Sequence, residues 1–409
     1  MAPVSSSFIW IAFLTVLGAY VASGAVVIIG RVRRDRWQRV LRRLDRALRD
    51  AQYSEAITAD AVGAPVLART STRLLFRIAS EPTAPRDVQA VVARALVRRV
   101  GAASLRSGAQ DRDSRWRRIA ALRALTLSMD DEAPTCLARA MIDGRLDVKA
   151  AAVALLGQLP HPAAAGILLD ALRDDRFAAS RIAAALDAMP IDAPTLVASL
   201  LDAHDARLRY WGALLVRRYP SLPGLSTTLG AFTDDPDPSV RKAAIETIGR
   251  LGFADSVDRL RARLQDPVSY VRAHAARALG SLHEVAAARD VAALLADRNW
   301  VVRSAARQGL EAMGADVEAV LRRTLSHEDR FARNSAAEVL HNLGLLASML
   351  RAYSRAHGGV AEEMTRLLAR AAGPRLWQVA VSALDAATRE RLVELVSPPV
   401  FGELVPESG

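Results

Sequence analysis

The sequence predicts an all-α protein, with a single N-terminal transmembrane helix followed by a solenoid of stacked helix pairs. Three observations support this fold class. Residues 8–30 form an apolar run without a charge, a short motif recurs about every 31 residues, and the chain is 51% hydrophobic but only 5% aromatic. Alanine, leucine and valine therefore carry the apolar fraction, and that composition favours closely packed helices over a β-sandwich.

The apolar run is the first predicted element. As a helix, residues 8–30 would reach roughly 34 Å, enough to cross a hydrocarbon core of about 30 Å. Residues 1–7 carry no basic side chain, which argues against a cleaved signal peptide. Arginines follow the run directly, so the positive-inside rule places a short N-terminus outside and the remainder in the cytoplasm, with the chain in the inner (cytoplasmic) membrane. The candidate topology or lipid-contacting residues are Arg31, Arg33, Arg34, Arg36 and Trp37.

A basic, helical juxtamembrane region is predicted over residues 31–111. Residues 31–118 hold 21 arginines and nine acidic residues, which gives this segment a charge of +12. The net charge of the chain is +11, so the remaining residues together carry −1. A nucleic-acid partner is not expected, because it requires a basic track along the binding surface. The arginines either bind anionic lipid or only fix orientation. Binding of nucleic acid or anionic lipid through this region is kept as an alternative function.

The repeat is the strongest signal in the sequence. Its block consists of an acidic residue, often a proline, then a hydrophobic residue, a basic residue and an alanine-rich segment, as in residues 235–244, 266–276 and 297–306. Eight such units in phase define a repeat region over residues 112–344. The basic residues that mark them are Arg118, Lys149, Arg181, Arg209, Arg241, Arg272, Arg303 and Arg333.

Each part of the block has a structural meaning. Aspartate before proline is typical of a helix start. Glycines eleven residues after the marker (Gly252, Gly314 and Gly344) suit a C-terminal cap, whereas those eight residues after it (Gly157, Gly249 and Gly280) fall near the helix end. A second short amphipathic helix follows the first, and neither can bury its apolar face alone. Stacking of successive pairs is therefore predicted.

This pattern resembles HEAT repeats, in the short form shared with phycobilisome-lyase subunits. The resemblance implies that an aspartate six residues before the marker links successive repeats through a ladder of hydrogen bonds. Arg112, Ala203 and His327 replace that aspartate in three units, so the ladder is expected to be continuous only from about 235 to 303. The predicted ladder residues are Asp143, Lys149, Asp175, Arg181, Asp235, Arg241, Asp266, Arg272, Asp297 and Arg303.

Segments on either side of the array are predicted to be less regular. Residues 88–96 look like a degenerate repeat within the region 31–111. Residues 345–397 continue as helices without the motif and are interpreted as a C-terminal cap, and residues 398–409 as a flexible tail. The lone cysteine, Cys136, is expected to be a buried apolar residue.

Catalytic motifs were not recognised in the sequence. We found no metal-ligand spacing among the histidines, no phosphate-binding loop and no nucleophile motif. The sequence therefore predicts a non-enzymatic protein without cofactor, metal or small-molecule substrate. Several aromatic residues lie near the marker, and they either anchor a partner or fill gaps in the core, the second interpretation being the stronger. They are Phe177, Tyr210, Trp211, Tyr270, Trp300 and Phe331.

Together these features predict a membrane-tethered adaptor that presents a cytoplasmic solenoid to other, membrane-associated proteins. A narrower form of this prediction is an accessory subunit of a membrane enzyme complex, such as a glycosyltransferase. The resemblance also raises a phycobilin-lyase-like or other enzyme subunit as an alternative, which a tetrapyrrole bound on purification would favour.

Overall fold

A computed structural model describes residues 38–47, 65–81, 83–111, 114–143, 145–355 and 359–396. Within these residues the regular structure is entirely helical, and this confirms the all-α class. The chain divides into two compact units, Met1–Ala193 and Pro194–Gly409.

The first unit contains short helices that pack on their sequence neighbours. Helix α6 contacts α4, α5 and α8, and α8 contacts α7, α9 and α10. Residues 38–47 are helical and bury Leu44 completely. The helices are α1 (38–47), α2 (65–68), α3 (Thr72–Ala79), α4 (Arg86–Val100), α5 (Ala102–Gly108), α6 (Arg115–Leu127), α7 (Ala133–Met141), α8 (Leu146–Leu156), α9 (Pro162–Arg173) and α10 (Ala179–Asp187).

The second unit continues the alternation of longer and shorter helices. Its helices are α11 (Pro194–Ala198), α12 (Ala206–Leu215), α13 (Leu225–Phe232), α14 (Pro238–Leu251), α15 (Val257–Arg263), α16 (Ser269–Ser281), α17 (Ala288–Ala293), α18 (Trp300–Met313), α19 (Glu318–Thr324), α20 (Arg330–Asn342), α21 (Leu345–Arg355), α22 (Gly359–Ser382) and α23 (Ala386–Leu395).

The helices that carry the marker residue form one layer of the second unit. These motif helices, α12, α14, α16, α18 and α20, each contact the next, and the connecting helices α13, α15, α17 and α19 each pack against the motif helix that follows. Alanines such as Ala243, Ala275 and Ala305 are fully buried in this layer. Small side chains allow neighbouring backbones to approach closely, which explains why an alanine-rich chain folds into stacked pairs.

The starts of the motif helices follow from local side-chain chemistry. Asp237 precedes Pro238, and its Oδ1 accepts hydrogen bonds from the backbone N–H groups of Ser239 and Val240 at 2.7 and 3.3 Å. Helix α14 ends at Gly252, whose φ of 77° and ψ of 30° are left-handed and therefore suit glycine. The predicted start and stop signals of this helix are both present.

Glycine has a second use between motif helices α16 and α18. A Cβ atom built on Gly280 would lie 2.5 Å from the Cα of Gly309, and one on Gly309 would lie 2.5 Å from the carbonyl oxygen of Ala276. Such contacts are too short for any side chain. Gly280 lies near the helix end, as predicted, and there it allows the backbones of α16 and α18 to approach closely.

Within the described residues, no helix is long and apolar enough to span a membrane. The 24-residue helix α22 carries charged residues such as Glu363 and Arg370, and its backbone is broken at Gly373, where φ is 67°. This finding contradicts the predicted single-pass localisation, which is withdrawn. Residues 8–30 lie outside the described residues, as does the predicted tail 398–409. The candidate topology or lipid-contacting residues also lie outside them: Arg31, Arg33, Arg34, Arg36 and Trp37.

Candidate functional site

The recurring arginines and aspartates of the second unit form fork-to-fork pairs between successive repeats. In each pair the arginine Nε donates to one carboxylate oxygen at 2.8 Å, and Nη2 donates to the other at 2.9 to 3.0 Å. Such bidentate, charge-assisted bonds fix both distance and orientation. The pairs are Arg209–Asp235, Arg241–Asp266 and Arg272–Asp297.

Each member of a pair also satisfies backbone groups near the start of its motif helix. Arg241 uses Nη1 to donate to the carbonyl oxygens of Asp235 and Pro236 at 2.9 and 3.2 Å. Asp266 accepts a further hydrogen bond from the backbone N–H of Val268 at 2.9 Å. The Asp266 side chain is 0% exposed and that of Arg241 is 10% exposed, so this pair lies in the interior.

The charges of the ladder shift the ionisation of its members. Burial alone would raise the pKa of Asp297, but hydrogen bonds from Arg272 and from the backbone N–H of Asn299 outweigh burial and lower it. The hydrogen bond to Asp235 raises the pKa of the Arg209 guanidinium. Asp297 and Arg209 are therefore charged at neutral pH, and each is paired with its own ladder partner.

The ladder of the second unit stops at Arg303. Its Nη1 donates to the carbonyl oxygens of Asp297 and Arg298 at 2.8 and 3.2 Å, as in the preceding repeats. His327 stands where the next aspartate would be, and its Nδ1 accepts the backbone N–H of Asp329 at 3.0 Å. The ladder therefore ends at Arg303, because the next repeat has His327 in place of the aspartate.

In the first unit one ladder pair is largely buried and the other ladder positions are more exposed. Arg118 and Asp143 form a largely buried ion pair. Lys149 lies half-buried on α8, whereas Asp175 is exposed with a φ of 53° and Arg181 is exposed on α10, its guanidinium carbon 5.9 Å from the ring centroid of Phe177.

Three of the six marker aromatics lie on the surface. Tyr270 is 40% exposed, Trp300 70% and Phe331 44%, and each lies in the first turn of a successive motif helix, α16, α18 and α20. We call these three residues the aromatic ridge. The core-filling interpretation is wrong for them, because large apolar side chains in a core would not retain this exposure.

The other aromatic residues are half-buried. Tyr210 and Trp211 lie on α12 with ring centroids 4.9 Å apart and an interplanar angle of 72°, an edge-to-face pair. Phe177 in the first unit is also half-buried.

A groove of about 650 Å³ crosses the motif helices α12, α14 and α16 and ends at the first member of the aromatic ridge. Aromatic, basic and acidic side chains share its walls, which is the mixed character of a protein-recognition surface. The groove is lined by Ala206, Arg207, Tyr210, Trp211, Asp237, Ser239, Lys242, Tyr270 and His274.

The groove favours uncharged forms of two of its side chains. Burial lowers the pKa of His274, and the positive charges of Lys242 and Arg277 lower it further against the opposing effect of Glu246. Burial raises the pKa of Tyr210, with a smaller contribution in the same direction from Glu246. At neutral pH the groove therefore presents a neutral imidazole and a phenol that can donate and accept hydrogen bonds.

Sequence reasoning did not single out Lys242 or His274 as surface-groove residues. Both follow the marker within two residues on their helices, so helical periodicity places them near the phase of Tyr210 and Trp211. The position of these two residues relative to the marker could have indicated the groove, but most repeats have alanine at the position equivalent to His274.

Comparison with known protein families identifies the kind of repeat in part of the second unit. A sequence profile of HEAT repeats matches residues 226–311, within the second unit, and confirms the predicted kind of repeat there. No curated protein matches the chain.

Three solved structures with a similar fold are distant in sequence. The CpcE–CpcF complex of phycocyanin lyase from Nostoc sp. is 20% identical over 51% of this chain and 94% of its own, with a TM-score of 0.32. Kap121p is 14% identical over 88% of this chain and 45% of its own, with a TM-score of 0.46. Importin β is 13% identical over 88% and 61%, with a TM-score of 0.39. The chain thus spans less than two thirds of the Kap121p and importin β chains, and these likenesses carry no functional argument.

Proposed function

We propose that this protein is an interaction scaffold that binds another protein through the aromatic ridge and the adjoining groove of its second unit. The observation that carries the proposal is the exposure of Tyr270, Trp300 and Phe331 on three successive motif helices. In a chain with 5% aromatic residues, large exposed rings two or three residues before the marker of successive repeats are costly to leave in water. Aromatic residues are also the anchors that most often carry binding energy at protein interfaces.

We also propose that the protein has no catalytic activity of its own. The acidic and basic groups that recur in the second unit are paired with each other, with side-chain oxygens and nitrogens 2.8 to 3.0 Å apart. Groups engaged in this way support the stack of repeats and are not poised for proton transfer. A tetrapyrrole that copurifies with the protein would contradict this and favour the lyase-like alternative.

The proposal is tested by affinity capture from the cells that produce the protein. The wild-type chain is compared with a variant in which Tyr270, Trp300 and Phe331 are replaced by alanine. The matched control is Val393→Ala on α23, since Val393 is also an exposed apolar residue of the second unit, at 66%.

We expect one protein captured by the wild-type chain and by the control to be lost from the triple variant. Truncating a single anchoring aromatic weakens binding by about 2 kcal/mol, or roughly 30-fold, so three truncations remove a micromolar complex from the capture. A protein profile identical for all three chains would contradict the proposed function.

A further inference from the structure

The arginine of motif helix α18 is oriented as in the preceding repeats but has a different partner set. Arg272 donates from Nη1 to two backbone carbonyl oxygens at 2.8 and 3.3 Å, and Arg303 does the same at 2.8 and 3.2 Å. Arg272 then uses Nε and Nη2 to hold Asp297. Among the described residues, no carboxylate pairs with the corresponding edge of Arg303.

The reason lies in the turn before α20. His327 accepts the backbone N–H two residues further on at 3.0 Å, just as Asp297 accepts that of Asn299 at 2.8 Å. The turn geometry is therefore kept, while the negative charge is missing. An imidazole cannot replace the two oxygens that a carboxylate offers to a guanidinium fork.

Exposed rings flank this arginine. Trp300 lies three residues before Arg303 on the same helix and is thus its neighbour on the helix surface. The Arg303 guanidinium carbon lies 4.6 Å from the ring centroid of Phe331, and that of Arg330 lies 4.9 Å from the same centroid. The surface around Arg303 therefore combines exposed aromatic rings with the guanidinium groups of Arg303 and Arg330.

We propose that the Nε–Nη2 edge of Arg303 receives an aspartate or glutamate side chain of the partner protein, with an apolar residue of the same segment packed on Trp300. The partner's carboxylate would complete the ladder in trans, as Asp297 completes it for Arg272 in cis. This inference rests on the proposed interaction function and names the chemistry that the surface recognises: an acidic segment with an adjacent apolar side chain.

Preorganisation makes this site effective. The two carbonyl contacts of Nη1 already fix the guanidinium, so binding immobilises little further side-chain freedom. Bidentate carboxylate recognition adds orientation, and stacking on an aromatic ring keeps one side of the arginine away from water. The partner segment is thus selected for charge and for a neighbouring apolar residue together.

The test is a selection of displayed random twelve-residue peptides on the full chain, with affinities of the selected peptides measured by fluorescence anisotropy. The key variant is His327→Asp, which places a carboxylate in the ladder position and should occupy Arg303 from within. His327→Asn is the matched control because asparagine has nearly the size of aspartate but carries no charge. Arg303→Gln removes the receiving group itself.

We expect selected peptides to contain an acidic residue next to an apolar one. Their affinity should fall at least about tenfold with His327→Asp, with Arg303→Gln, or with the acidic residue of the peptide changed to its amide, and should persist with His327→Asn. If His327→Asp fails to fold, Arg303→Gln and the amide peptide decide the result.

Three results would overturn the inference. One is the selection of peptides that bind the wild-type and His327→Asp chains with equal affinity. Another is a selection in which no peptide is enriched on the wild-type chain relative to the His327→Asp chain. The third is recognition that depends on a C-terminal carboxylate. Peptides that depend on Trp300 but not on Arg303 would overturn the inference while leaving the interaction scaffold in place.

Discussion

Replacing Asp266 by alanine should destabilise the second unit strongly. The change leaves the Arg241 guanidinium, whose side chain is 10% exposed, without the acceptor for Nε and Nη2, and it leaves the backbone N–H of Val268 without its acceptor. Removing one partner of a buried ion pair costs about 3–5 kcal/mol because an uncompensated charge stays inside. We therefore expect a loss of that size in the free energy of unfolding.

The chain contains a matched exposed pair. Arg261 donates to Asp290 from Nε and Nη2 at 2.9 and 2.7 Å, but the two side chains are 41% and 44% exposed. Solvent screening reduces such a pair to about 0–1 kcal/mol, so Asp290→Ala should have little effect. Urea unfolding of the full chain, followed by circular dichroism at 222 nm with each variant, measures both losses.

A double substitution separates charge from packing. Arg241→Met with Asp266→Asn removes both charges, retains similar volume and keeps a side-chain oxygen for the backbone N–H of Val268, so it should recover most of the stability lost in Asp266→Ala. Equal losses for Asp266→Ala and Asp290→Ala would refute the argument that burial gives the ladder its energetic weight. A double variant as unstable as the single variant would refute the argument that the unpaired charge causes the loss.

Three further outcomes are expected. Gly309→Ala should lower the free energy of unfolding in urea by about 1–3 kcal/mol, since its Cβ would lie 2.5 Å from the carbonyl oxygen of Ala276. The control Gly166→Ala on α9, with open space around its Cβ, should raise that free energy by up to about 1 kcal/mol. Equal effects of the two substitutions would contradict the close approach of the helices. Because the pKa of His274 is lowered in the folded chain, the unfolded chain binds a proton at this residue at a higher pH than the folded chain does. The free energy of unfolding should therefore fall as the pH drops below about 6.5, and should fall less in His274→Gln. Parallel pH profiles of the two chains would contradict this. Burial raises the pKa of the Cys136 thiol, so iodoacetamide at pH 7.5 should label it far more slowly in the native chain than in urea, and equal rates would contradict its burial.

The repeat was the part of the fold that the sequence predicted well. Periodic placement of Arg241, Arg272 and Arg303 set the spacing of the motif helices, and the Asp237–Pro238 start and Gly252 end marked the limits of α14. These signals are local, because caps and glycine conformations depend on residues within one turn. Local signals survive in a single sequence.

Features that depend on neighbouring repeats were harder to predict. The contact between Gly280 and Gly309 arises from two helices 29 residues apart, and neither glycine alone indicates it. Exposure of Trp300 also depends on which side of α18 the next repeat covers, so the sequence pattern left open whether this ring anchors a partner or fills the core. The same limit hid His274, whose environment is set by residues of two other helices.

The most direct test of the interaction scaffold is site-specific photocrosslinking in the cells that produce the protein. The photoreactive residue p-benzoylphenylalanine replaces Trp300 in one chain and Val393 in another, two sites with 70% and 66% exposure in the same unit. The account predicts one discrete crosslinked partner from position 300 and none from position 393. The absence of a discrete product at position 300, or the same products from both positions, would contradict the proposal that the aromatic ridge binds a partner protein.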